Sequence, residues 1–264
     1  MDFGVQTYTI RHQQKKDLEQ AYLPLIRMGI RDLEIARIHF DAASGQAVRA
    51  LQEQYGIRVA AIQVKPKQVF GDVQSVVDFC KATDCRNVVL SQLPFDCVLG
   101  SEQRFYDFVS TLDRQARRYA RYGITLAYHH HNWEYIRLSN GKSRMDVLLE
   151  NTEKIQFVHD TYWTTRCGLS SPQQIRQFGH RLLGIHMRDL ALYKKGLQVC
   201  ARDAAVGQGV IDFAAVLEAA AQTPCQYFAI EQNTATPYED LQRSYAACLQ
   251  IRNRMEEKYH EAET

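Results

Sequence analysis

Residues 124–129 read Ile124-Thr125-Leu126-Ala127-Tyr128-His129, bulky apolar residues alternating with smaller or polar ones. Successive side chains of a β-strand point to opposite faces, so Ile124, Leu126 and Tyr128 form one face and Thr125, Ala127 and His129 the other. The same pattern returns three times downstream. Ile155 and Phe157 oppose Gln156, Val158 and Asp160; Leu183, Ile185 and Met187 oppose Gly184, His186 and Arg188; Phe228 and Ile230 oppose Tyr227, Ala229 and Glu231. In a parallel barrel the bulky sets face the surrounding helices and the second sets face the interior.

Upstream, β-rich runs near 3–8, 32–36, 58–64 and 87–91 join those near 124–129, 155–160, 182–187 and 226–231. Helical patterns lie between or after them, near 15–28, 43–55, 72–83, 102–122, 143–150, 172–178, 211–222 and 238–257. Strands separated by helices imply right-handed parallel crossovers, and eight such units in about 250 residues predict a (β/α)8 TIM barrel. The rival, an open doubly wound sheet, announces itself by a glycine-rich turn after the first strand. Here Thr7-Tyr8-Thr9-Ile10-Arg11 follows instead. With no linker-like composition shift, a single α/β domain over 1–264 is expected.

Composition narrows the function. The 264 residues are 45% hydrophobic and 23% charged, an ordinary globular mixture. A formal charge of +2 is too balanced for a protein that binds mainly by neutralising phosphates. Apolar runs fall far short of the roughly 18 residues of a membrane span. A small-molecule partner is therefore expected, with neither nucleic acid nor membrane. The seven cysteines are scattered without a C-x-x-C pair, which argues against a disulfide framework or a thiolate zinc site. The opening MDFGVQTYTIR reads as a first strand and not as a secretory leader, so a reducing cytoplasm is the expected compartment.

The chemistry gathers at strand ends, where barrels of this type place it. Four consecutive strands close on inward His129, Asp160, His186 and Glu231. Two imidazoles with two carboxylates suit one divalent ion of borderline character, such as manganese, cobalt, zinc or iron. An isolated inward histidine or aspartate is usually a hydrogen-bonded polar group. Four in one phase ask what would offset their shared desolvation if no cation did. His159 falls on the outward face and is assigned no function. Other rim positions are Gln6, Arg11, Glu34, Lys65, Trp163 and Arg188, each a candidate substrate contact or a barrel-filling polar group. Gly207 and Gly209 read as a tight turn before the helix near Ile211, not as a phosphate loop.

These segments also resemble the xylose isomerase-like barrel superfamily, in particular its sugar phosphate isomerase/epimerase group. FGVQTYTIR is similar to its G-x-Q-x-Y-S-x-R pattern, YHHHNWEY to Y-H-N-H-x-x-E-F, and HDTYWTTRCG to L-D-x-x-W-x-x-x-x-G. IHMRD resembles H-x-K-D, VGQGVIDF resembles V-G-E-G-x-I-D-F, and AIEQN the closing V-E-x-D/N. The resemblance implies a metal held by Asp160, His186 and Glu231. At the fifth strand it implies a glutamate where this chain has His129, with His131 in the same phase as the alternative ligand. Arg188 stands for the usual lysine and Gln208 for the usual glutamate.

An enediolate-type isomerisation or epimerisation of a small sugar, keto-sugar or cyclitol is the leading expectation, with Glu231, Glu134 and His131 as candidate bases. Losing one of two paired glutamates puts a symmetric epimerisation in doubt. A lyase or dehydratase acting on a keto-sugar, inosose or 3-keto-glycoside is thus the second reading. An abasic-site nuclease, which would need early-strand histidines, and a non-catalytic binding barrel complete the alternatives. Barrels of this type commonly associate, which leaves a homo-oligomer open.

Overall fold

The alternation that begins at Thr125 is realised as a strand, and its neighbours follow. In a computed structural model the strands are β1 (Phe3–Gln6), β2 (Asp32–Ala36), β3 (Arg58–Val64), β4 (Asn87–Leu90), β5 (Thr125–His129), β6 (Gln156–Asp160) and β7 (Leu182–Met187). Beyond these come β8 (Asp189–Lys195), β9 (Gln198–Ala204) and β10 (Tyr227–Ile230). The structure describes the backbone of residues 1–263 and side chains through 258. Eight strands close into a parallel barrel in the order β1-β10-β7-β6-β5-β4-β3-β2, with helices between them. The expected strands all form, within two residues at either end.

By density of contact the chain divides into two units, Leu33–Val158 and the remainder, Met1–Asp32 with the segment from His159 onward. In Leu33–Val158, β3 pairs with β4, β4 with β5 and β5 with β6, all parallel. The long helix Glu102–Ala120 buries Phe105, Phe108, Val109, Leu112, Ala116 and Tyr119, an i, i+3, i+4 stripe that drives its docking. Ser101 caps its start by accepting from Arg104 N–H. At its inner face Gln115 Nε2 donates to the Val69 carbonyl at 2.6 Å.

In the other unit β1 pairs with β10 and β10 with β7, with Tyr227 opposite Gly184 and Ala229 opposite His186. The inward assignment of Gly184 and Tyr227 thus has a packing reason. A Cβ on Gly184 would stand 2.4 Å from the Tyr227 ring, so the glycine makes room for the phenol. On the last helix Leu241, Ser244, Cys248 and Met255 are buried, close to the stripe through Leu241, Tyr245, Cys248 and Ile251 that the sequence offers.

The antiparallel hairpin β8–β9 is absent from the sequence reading. Its two-residue turn, Gly196-Leu197, carries Gly196 at φ 62, the positive φ that tight hairpins ask of their first central residue. Asp189 braces the segment that follows. Its carboxylate accepts Gly207 N–H at 2.9 Å, Gly209 N–H at 2.8 Å and Leu190 N–H at 2.8 Å. A Cβ on Gly209 would meet Asp189 Oδ1 at 2.3 Å, so the tight turn read from the two glycines is a wrap around a carboxylate. No helix among the described residues is long and apolar enough to cross a membrane.

Candidate metal centre

Asp160 is the last residue of β6 and the N-cap of the helix Thr161–Arg166. Its Oδ1 accepts Trp163 N–H at 2.9 Å, which leaves Oδ2 facing His186 Nδ1 at 3.9 Å and Arg188 Nη1 at 3.7 Å. One carboxylate thus starts a helix with one oxygen and serves a polar cluster with the other. His186 is fully buried, and its Nδ1 lies 2.9 Å from Glu231 Oε2. Glu231, one residue past β10, takes Arg188 Nη1 on Oε1 at 3.3 Å. Thr161 Oγ1 accepts Arg188 N–H at 3.0 Å and lies 2.7 Å from the Arg188 carbonyl, which ties the ends of β6 and β7 together.

Arg188 occupies the middle of these anions. Its Nε and Nη2 reach Asp203 Oδ1 and Oδ2 at 2.6 and 3.2 Å, and its guanidinium lies over the Tyr162 ring at 4.4 Å and near Trp163 at 5.3 Å. Burial opposes its charge, but Glu231, Asp160 and Asp203 outweigh that and hold the guanidinium firmly protonated. Asp160 goes the other way: burial pushes its carboxyl above the ordinary range, Arg188 pulls it down, and nearby Glu231 adds to the rise.

Leu33–Val158 supplies His129, buried at the end of β5 with Nδ1 3.3 Å from the Ser91 carbonyl. His131 stands edge-on to it at 4.7 Å between ring centroids. Glu134 is fully buried, not a solvated loop residue. It accepts the Tyr128 hydroxyl on Oε1 and His131 N–H on Oε2, the latter at 2.7 Å. Burial raises its pKa above the ordinary carboxylate value, partly offset by those two donors.

One ligand atom from each of Asp160, His186 and Glu231 lies within 4.8 Å of the others, and all three residues are buried. An imidazole nitrogen and two carboxylate oxygens with little water to solvate them fit a divalent cation of borderline character.

The rim residues vary in how they are held. Gln6 caps the turn after β1 by accepting Tyr8 N–H, and Arg11 lies 4.1 Å over the Tyr8 ring and donates to Asn233 Oδ1 at 2.9 Å. Glu34 is buried, Trp163 half-buried, and Lys65 exposed at the N-cap of the helix Pro66–Gly71. His159, buried on the outward face, packs edge-on against Phe178 of the helix Ser171–Phe178 at 5.9 Å. Sequence reasoning passes over Asp203, Thr161 and Asp189. Asp189 had a signal in the aspartate that ends IHMRD, just upstream of a glycine pair. Asp203 had none, because only the hairpin register brings it back to Arg188.

A closed parallel barrel with a buried imidazole–carboxylate cluster at its strand ends defines a (β/α)8 protein with a candidate metal centre. Residues 25–250 match the family model of xylose isomerase-like TIM barrels, and the chain belongs to that family. Among solved structures it is similar to a sugar phosphate isomerase/epimerase from Parabacteroides distasonis, with 17% identity, 92% of each chain covered and a TM-score of 0.77. It is also similar to the probable 3-DHS dehydratase AsbF from Bacillus anthracis, with 10% identity, coverage of 94% and 99%, and a TM-score of 0.69. An IolI protein with a bound zinc atom matches at 15% identity, coverage of 95% and 98%, and a TM-score of 0.68. At such identities the likeness establishes the fold. No protein of curated function matches the chain in sequence.

Proposed function

We propose that the protein is a divalent-metal-dependent isomerase or epimerase of a small sugar, keto-sugar or cyclitol. The observation that carries this reading is the convergence of Asp160, His186 and Glu231 on one buried spot. These three residues, with His129 as a fourth, would hold the ion, and a structural relative of the same fold has a bound zinc atom. When bound, a divalent ion polarises a hydroxy-ketone or hydroxy-aldehyde and makes the adjacent C–H more acidic.

The chain's own groups do the rest. Glu231 takes the proton from the substrate carbon and returns it, and Arg188 orients that carboxylate by donating to Oε1. Trp163, half-buried beside Arg188, offers a flat face on which a sugar ring stacks. Gln6, Arg11, Glu34 and Lys65 are the candidate contacts for polar groups of the substrate, and His131 is the candidate proton relay. Glu134, with one oxygen engaged by Tyr128 and the other by His131 N–H, holds the segment after β5 in shape and stays out of the proton transfer.

A second reading is favoured by one residue. With His129 where the resemblance implies a glutamate and Asp160 engaged in capping the helix Thr161–Arg166, Glu231 is the carboxylate left to act as base, which suits removal of a proton followed by loss of a leaving group. The dehydratase relative has the same fold.

Metal analysis of purified protein beside Asp160→Ala and Glu231→Ala tests the site: bound divalent metal is expected in the parent and lost in both variants. Unchanged metal content in both would overturn it. Incubation with candidate keto-sugars in D₂O separates the reactions. Deuterium in a sugar of unchanged skeleton supports isomerisation, and release of water or an aglycone supports the lyase.

A further inference from the structure

We infer that Asp203, on the hairpin β8–β9, is a positioning residue that sets metal affinity by fixing which edge of Arg188 faces the carboxylates. The inference rests on the metal-centre reading above and adds to it a residue outside the ligand set.

The hairpin register places Asp203 opposite Leu190, and opposite residues of an antiparallel pair project from the same side. Leu190 is buried, so that side is the inner one, and Asp203 projects from it toward Arg188. The contact is a fork: Nε meets Oδ1 at 2.6 Å and Nη2 meets Oδ2 at 3.2 Å. A planar guanidinium held along one edge by a carboxylate has no torsion left to choose. Stacking over Tyr162 at 4.4 Å fixes the plane itself. What remains is Nη1, and it alone reaches Glu231 at 3.3 Å and Asp160 at 3.7 Å. Asp203 is in turn held at the rim, where Oδ1 also accepts Asn233 N–H at 3.1 Å and the Asn233 side chain accepts from Arg11.

The consequence is electrostatic. With its fork spent on Asp203, Arg188 gives Glu231 a single contact and leaves Oε2 to His186 and to a cation. Released from Asp203, the same fork would turn to Glu231, the nearest remaining carboxylate, and engage both of its oxygens. A bidentate arginine on a metal ligand competes with the metal.

The test is Mn²⁺ binding by equilibrium dialysis, with folding checked by thermal denaturation. Asp203→Asn is expected to weaken Mn²⁺ binding about 10-fold, and Asp203→Glu, which keeps the charge, to weaken it less. In an Arg188→Gln background the same Asp203→Asn change is expected to alter affinity by less than about twofold, because the group it steers is gone. Parent-like affinity in Asp203→Asn, or an equal loss in both backgrounds, would overturn the inference. If Asp203→Asn does not fold, Asp203→Glu in the two backgrounds is read by the same criterion. A parent protein that binds no divalent metal sinks the metal-centre reading itself and this inference with it, whereas a metal-binding parent with an unresponsive Asp203 sinks the inference alone.

Discussion

In the unit built from both chain ends, Asp160, Glu231 and Asp203 meet a buried arginine, whereas in Leu33–Val158 Glu134 meets a phenol and a backbone amide. Both arrangements hold carboxylates away from water beyond or near the ends of strands. They differ in what satisfies them. Arg188 neutralises its partners and leaves one oxygen each of Asp160 and Glu231 turned toward His186. Tyr128 and His131 N–H instead each engage one oxygen of Glu134. The proposed roles follow the donors and not the burial: base for Glu231, brace for Glu134.

The sharpest way to break that distinction is to neutralise one acid of each kind. Glu231→Gln is expected to lower solvent-deuterium exchange into substrate by about 10²-fold or more, the usual contribution of a positioned base. Glu134→Gln keeps the side chain's shape and should leave exchange within about tenfold. Equal losses in the two variants would return Glu134 to the list of bases and remove the contrast.

Two glycines sharpen the comparison at the level of packing. Gly184→Ala sets a methyl against the Tyr227 ring and Gly209→Ala sets one against Asp189, with nearest atoms at 2.4 and 2.3 Å. Each is expected to cost about 1–3 kcal/mol or more in denaturant unfolding, the range for overpacking a rigid site. Gly141, in Leu33–Val158, has open space around its missing Cβ and φ 82, so Gly141→Ala pays only for left-handed backbone, roughly 1–2 kcal/mol. If Gly184→Ala were the mildest of the three, the Tyr227 packing would not be what holds that position.

How much of this could be read in advance follows from where the information sits. His129 and Asp160 each end a strand, His186 lies one residue before the end of its own and Glu231 one residue past, and a period of two fixes their phase, so sequence alone turns all four inward at strand ends. Asp203 lies on a hairpin whose register depends on a two-residue turn. A shift of one position would point it away, and nothing in its neighbours' chemistry announces Arg188 as its partner. Glu134 was legible as a polar residue near the site, but its role required knowing that Tyr128, read as an outward strand residue, turns its hydroxyl back to it. Periodicity reports direction; it does not report what a side chain's end will meet.

The smallest effect is the pH dependence of Glu134. Burial raises its folded-state pKa above the ordinary 4.5, so the native state binds its proton more tightly than the unfolded chain does. The stability contributed by the protonated form is fully present below the unfolded value and is lost as pH rises through the folded one. Glu134→Gln cannot ionise and escapes that loss. The stability of the variant relative to the parent should therefore climb as pH rises from 4.5 and level off above the raised pKa. Tyr128→Phe provides the cross-check. Removing the hydroxyl takes away a donor that lowers the Glu134 pKa, so the parent-like loss with pH should extend to higher pH in that variant. Urea unfolding across the pH series reads both changes, and a relative stability that stays flat in Glu134→Gln would mean that the acid ionises as it does in water and that the brace is not buried as described.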